Sequence, residues 1–218
     1  MNITRFPNGI TNVEKSDVFA QCSQLDPTKY HTFFDDFNNY DANQWTYTDV
    51  GTPTRALIDS DGGRLLITNS AAISDYSTNT LTNHGLLPKA GKKLFYKIKF
   101  QVNDSLNTVL AIGLNGTNNN AQFSKPNAST EISLSLRKSG VVNAFTTNTS
   151  LVDATDISLS YYYNGRKELY YYVDDQLKGI VDFDNFPLAV LAPRVSIING
   201  NAVANYLSVD YILTAFER

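Results

Sequence analysis

An all-β sandwich is the fold class this sequence predicts. Three observations carry the prediction: apolar and polar residues alternate at period two, clusters of Asn, Asp and Gly recur between the alternating segments, and no stretch shows a helical period over three turns. At 218 residues one such domain is the simplest partition, because sandwiches reach roughly 200–250 residues as single units. Hydrophobic residues make up 42% and aromatics 12%, enough to fill a core that removes about 70% of the unfolded surface from water.

Residues 1–32 lack that alternation. Turn signals at Pro7-Asn8-Gly9 and Asp26-Pro27 interrupt them, so this stretch reads as an extended N-terminal arm, with the sandwich domain spanning 33–218. The arm's apolar residues Phe6, Pro7, Ile10 and Val13, with Arg5, are spaced among Asn, Thr and Gly. Such a segment gains order by lying along a partner's sheet edge or groove, and these five residues are the expected contacts.

Within the domain, Leu94, Tyr96, Ile98, Phe100 and Val102 alternate with Lys93, Phe95, Lys97, Lys99 and Gln101, the pattern of a half-buried strand. The three lysines on the polar side then make a solvated outer face, or a binding patch. Ile132, Leu134 and Leu136 alternate with Glu131, Ser133, Ser135 and Arg137 in the same way. In the last segment, Leu207, Val209, Tyr211 and Leu213 are expected to share one face.

Reversals are expected at Asp59–Gly63, Asn115–Asn120, Ser139-Gly140, Asn164-Gly165, Asp174–Gln176 and Asn199–Asn201, because these residue types accept the positive φ of tight hairpins. The hairpin Tyr161–Tyr172 places tyrosines at successive positions, so some rings must point outward. Tyr162, Tyr170 and Tyr172 are the candidates for a glycan or protein contact, against the alternative of amphipathic cover over the core.

Composition excludes several functions. A net charge of −3 does not suit a nucleic-acid backbone, and no run is long and apolar enough for a membrane span. The start of the chain lacks the apolar core of a signal peptide, so a soluble protein folded in a reducing cytoplasm is expected. The single cysteine, Cys22, makes no intramolecular disulfide.

No cofactor fingerprint or phosphate loop is present, and no metal site is assigned, with structural calcium on Asp35-Asp36, Asp174-Asp175 or Asp182 with Asp184 left open. His31 and His84 lie far apart in sequence with no partner at metal-ligand spacing. Asp59-x-Asp61-Gly62 has Ser70 where a calcium loop needs a bidentate glutamate, so it reads as a turn. A glycoside hydrolase of this class would need two carboxylates on one strand face. The positions beside Glu131 are Ser133 and Ser135, so no catalytic residue is assigned and no enzyme is expected.

The segments Phe34-Asp35-Asp36-Phe37 with Trp45, Gly91–Tyr96, Tyr172–Gly179 and Leu207–Ile212 together resemble the concanavalin A-like jelly roll of laminin-G and lectin type. More narrowly, Arg5–Val13 followed by Asp26-Pro27-Thr28-Lys29 resembles virion structural proteins of tailed bacteriophages. This resemblance implies a capsid decoration or cement protein on the phage head exterior, made in the host cytoplasm. It would be bound through the arm to the major capsid protein and to copies of itself as a dimer or trimer. The alternative is a carbohydrate-binding, lectin-like module, with exposed tyrosines or Trp45 stacking on surface glycans.

Overall fold

The structure, a computed structural model, describes residues 30–58, 63–82, 84–182 and 186–218. The arm residues Arg5, Phe6, Pro7, Ile10 and Val13, and the turn at 59–62, lie outside the described residues. In chain order the strands are β1 (Tyr30–Asp35), β2 (Trp45–Val50), β3 (Thr54–Ile58), β4 (Arg64–Thr68) and β5 (Tyr76–Leu81). Then come β6 (Leu94–Val102), β7 (Thr108–Gly116), β8 (Asn119–Lys125), β9 (Glu131–Lys138) and β10 (Val141–Ser150). The last five are β11 (Ile157–Tyr163), β12 (Glu168–Val173), β13 (Gln176–Asp182), β14 (Ala192–Asn199) and β15 (Tyr206–Glu217).

They form two antiparallel sheets packed face to face. The first has the order β13-β12-β11-β6-β15-β4-β3, with β1 on the second half of β15; the second runs β10-β9-β8-β7-β14-β5-β2. Residues Tyr30, His31 and Thr32 pair with Glu217, Phe216 and Ala215, so among the described residues the sheet includes the three before Phe33.

Alternation explains the core. Leu94, Tyr96, Ile98 and Phe100 from β6 meet Ile112, Leu114, Phe123 and Leu134 of the second sheet, all buried in one cluster. Tyr161 bridges the layers: its ring stacks on Tyr96 at 5.3 Å between centroids, and its hydroxyl donates to the Ala121 carbonyl at 2.8 Å. A buried hydroxyl with a partner avoids the desolvation cost that an orphan would carry.

Turn chemistry fixes the hairpins. Ser139 and Gly140 both take left-handed φ (49° and 89°), as do Asp174 and Asp175 (48° and 61°), the geometry of two-residue hairpins that match strand twist. Gly165 (φ 82°) needs glycine twice over, since a Cβ there would also lie 2.7 Å from the Gly91 carbonyl carbon.

One expected face is corrected. Val209 pairs with Phe100 but Tyr211 pairs with Lys99, so Asp210 is an extra residue in β15. Such a bulge exchanges the two faces beyond it. Leu207 and Val209 point inward, whereas Tyr211 and Leu213 point outward and Ile212, Thr214 and Phe216 take the core positions.

Candidate functional site

The outer faces of the two sheets use their polar residues differently. On the first sheet, Lys97 pairs with Asp175 at 2.6 Å and Lys99 with Asp210 at 2.7 Å and Asp156 at 3.4 Å. Asp156 also pairs with Arg64. The Asp210 hydrogen bond raises the Lys99 ammonium above its usual pKa. Two of the three lysines expected on this face, Lys97 and Lys99, therefore form an ion-paired ladder.

Beside the ladder, Phe95, Tyr162, Tyr172 and Ala215 form a second apolar cluster, with Tyr170 and Leu213 packed against it. Tyr162 and Tyr172 do alternate onto the outer face, yet they are only 5% and 4% exposed. Their rings are not open stacking platforms, and Tyr170 is half-buried beside them. Trp45, the other expected platform, is 4% exposed and packs inward against Phe37.

On the second sheet the outer positions are small or polar. Register aligns one row as Thr46, Thr80, Arg194, Gly113, Gln122, Ser135 and Ala144. The next row aligns Ala192, Asn115, Asn120, Arg137 and Val142. With strands about 4.8 Å apart, Arg194 and Gln122 stand roughly 10 Å from each other with no side chain between them.

The gap is enforced by Gly113, where a Cβ would lie 2.5 Å from the Ala121 carbonyl oxygen and from the Gln122 Cα. Asn120 and Arg137 are direct cross-strand partners, and alternation puts them on the same face as Gln122.

These four long polar side chains, grouped on one face, share a property that the first sheet shows at small hydroxyls such as Ser158, Ser160 and Ser208. Arg194 Nε, Arg137 Nε, Gln122 Oε1 and Asn120 Oδ1 are all buried from water with no hydrogen-bond partner. Burial pulls the Arg194 guanidinium below its usual pKa, although arginine remains charged at any working pH. Folded chains satisfy most buried polar groups, so this face holds hydrogen-bonding capacity that the described residues do not use.

Glu131 is exposed at the far end of β9, and Ser133 and Ser135 separate it from Arg137 on the same face. Among the described residues no group of three or more His, Cys, Asp and Glu is placed to hold a metal ion.

A cleft of about 510 Å³ opens beside β1, lined in part by His31, Phe33, His84, Lys89, Phe216 and Arg218. The fold thus brings the two distant histidines to one place. Their rings are engaged there: His31 stacks on Phe216, and His84 lies 5.5 Å from Phe33 with Nδ1 3.0 Å from the Thr82 carbonyl. The cleft is largely aromatic packing, and the orphaned polar groups lie elsewhere.

The sequence singled out Arg137 only as an outer residue of β9 and Asn120 only as the end of an expected reversal, whereas Asn120 lies in β8; Arg194 and Gln122 were not singled out. Arg194 joins the other three only through the pairing of β14 with β7, strands far apart in the chain, which a single sequence does not display.

The architecture is a concanavalin A-like jelly roll. No protein-family model matches the chain, and no curated protein matches it in sequence. Solved structures match over most of its length at low identity.

A β-glucanase of Bacillus licheniformis is 14% identical with a TM-score of 0.61, covering 84% of this chain and 97% of that one. The carbohydrate recognition domain of Emp47p is 12% identical with a TM-score of 0.60, covering 88% and 98%. A carbohydrate esterase of the Shiga toxin-encoding bacteriophage phi24B is 15% identical with a TM-score of 0.50, covering 80% and 90%. At such identities the likeness is one of fold.

It nonetheless corrects the expectation that the chain is no enzyme. The similar structures include a β-glucanase and a glycosidic hydrolase, so serines beside Glu131 do not by themselves exclude an enzyme, and a likeness of fold establishes no activity.

Proposed function

We propose that the outer face of the second sheet is a carbohydrate-recognition surface, binding a glycan laid across β14, β7, β8 and β9. The observation that carries this reading is the cluster of orphaned donors and acceptors around Gly113. Arginine supplies donors and the amide oxygens of Asn120 and Gln122 supply acceptors, and a sugar's hydroxyls can meet both. Each unmet buried group costs about 1–3 kcal/mol in the free protein, a cost that a hydroxyl-bearing ligand relieves. The fold supports the reading, since glucanases and a carbohydrate recognition domain share it.

Screening on a glycan array, followed by titration of the hits against Asn120→Ala and Gln122→Ala, tests it. Affinity should fall about three- to tenfold for each substitution, the worth of a hydrogen bond. A blank array, or hits indifferent to both substitutions, would remove the reading.

A second reading is a virion structural role, a head decoration in contact with capsid subunits. Strands β10 and β13 end their sheets and lie side by side, and they expose Val141, Val142, Leu177 and Ile180. Apolar side chains on free strand edges favour cover by another protein. Quantitative mass spectrometry of purified particles decides it: hundreds of copies per particle support decoration, and absence from the particle ends it.

A further inference from the structure

The glycan site carries a charge signature that narrows its ligand. Arg194 and Arg137 are both half-buried on the outer face of the second sheet, and neither has an ion pair or hydrogen bond among the described residues. The sole carboxylate among the strand residues of that face, Glu131, stands three alternating positions along β9 from Arg137. That separation is roughly 20 Å at the rise of a strand, beyond the screening length of physiological salt.

The other two arginines of the described strands are neutralised within the fold. Arg55 reaches between the sheets to Asp49 at 2.6 Å, Ser77 at 2.5 Å and Asn79 at 2.7 Å and lies 4.1 Å over the Tyr47 ring. Arg64 meets Asp156 through both terminal nitrogens. Of the four arginines in the described strands, Arg194 and Arg137 alone leave their guanidinium donors without a partner.

Resting on the carbohydrate reading of this face, we infer that its ligand is an acidic glycan, with an anionic group held by Arg194 and a second by Arg137. A planar guanidinium meets a carboxylate or sulfate through two parallel hydrogen bonds. The empty position above Gly113 lets a sugar ring approach the sheet between Arg194 and Gln122. Asn120 is the cross-strand partner of Arg137 with its Oδ1 unpartnered and closed to solvent, so a rotation of its side chain on binding would let it accept from a hydroxyl next to the group held by Arg137. A neutral glucan would satisfy the amides but leave both guanidinium charges without a counter-ion.

Calorimetric titration of the full chain with three probes tests the inference: a tetragalacturonate, a sulfated chondroitin tetrasaccharide, and a neutral mixed-linkage glucan tetrasaccharide. Binding of either acidic probe should exceed that of the neutral probe at least about tenfold. It should weaken between 50 and 300 mM NaCl and drop about tenfold in Arg194→Gln. Arg194→Lys keeps the charge and loses the fork, so it should recover part of the affinity for a carboxylate.

The two acidic probes separate carboxylate from sulfate as the preferred group. Tighter binding of the neutral glucan, with no effect of Arg194→Gln or salt, would overturn the acidic assignment while leaving the carbohydrate surface standing. Failure of all three probes together with a blank array removes both readings at once. Thermal denaturation of each variant separates loss of contact from loss of fold.

Discussion

The outer faces of the two sheets have similar raw materials and opposite solutions. On the first sheet the described strand-face cations Lys97 and Lys99 have carboxylates within salt-bridge range, and the outward aromatics are packed into a cluster. On the second, two arginines and two amides are held half-dry with atoms left unpartnered. Charge that is neutralised within the fold belongs to the fold. Charge that is desolvated and left open costs stability in the free protein, and the proposed ligand would offset that cost.

The largest expected effect tests the first face. Tyr162 is aligned with Phe95 on β6 and with Tyr170 on β12, and its ring lies 5.9 Å from that of Tyr170. Tyr162→Ala removes a buried aromatic and should cost about 3–5 kcal/mol in urea denaturation. A loss below about 1 kcal/mol would show that this cluster is a surface feature, and the contrast between the faces would fail.

Lys125 sharpens the comparison from inside the sandwich. Its side chain is 1% exposed among Phe100, Ile112, Phe123 and Leu159, and its Nζ donates to the Leu106 carbonyl at 3.1 Å. Burial pulls its pKa down from 10.5 to about 8, with Asp104 and Asp153 opposing. A depressed amine binds fewer protons folded than unfolded between pH 8 and 10.5, so its contribution to stability rises with pH across that window.

The charged form is therefore destabilising below pH 8, by an order of about 3 kcal/mol at most. Lys125→Met should raise the melting temperature at pH 7 and flatten the rise in stability from pH 8 to 10.5. A variant with unchanged pH dependence would assign that rise to other groups.

How much of this could be read from the chain depends on the range of the interaction. Alternation over β6 and β9 and the hairpin residues Ser139-Gly140 and Asn164-Gly165 are local, and the structure follows them. The bulge at Asp210 is not local: nothing in Leu-Ser-Val-Asp-Tyr-Ile says that one residue will be left unopposed, because its partners Phe100 and Lys99 decide it. Outward tyrosines were legible from the period of two, but their burial was not. The candidate site was the least legible part, since Arg194 joins Gln122 only through Gly113, in a strand eighty residues earlier.

The ion-paired ladder should yield a smaller number. Lys99→Met leaves Asp210 without this partner and keeps Arg64 on Asp156. Because the pair is partly solvated, the expected loss is about 0.5–1 kcal/mol, diminishing in high salt. A loss as large as that of Tyr162→Ala would mean that the ladder, rather than the aromatic cluster, holds this face.

The smallest change in stability is expected where the effect on binding is large. Arg194→Met replaces an uncompensated half-buried cation by an apolar side chain of similar reach, so it removes a desolvation penalty and breaks no ion pair. Unfolding free energy should stay within about 0.5 kcal/mol of the parent or rise, while glycan affinity falls. A residue serving the fold gives the reverse pattern, as Arg55 should: Arg55→Met strands Asp49, Ser77 and Asn79 together and should destabilise in proportion. The two arginines differ in partners far more than in burial. If Arg194→Met proved as destabilising as Arg55→Met, the open guanidinium would be structural, and the second sheet would lose its claim to the site.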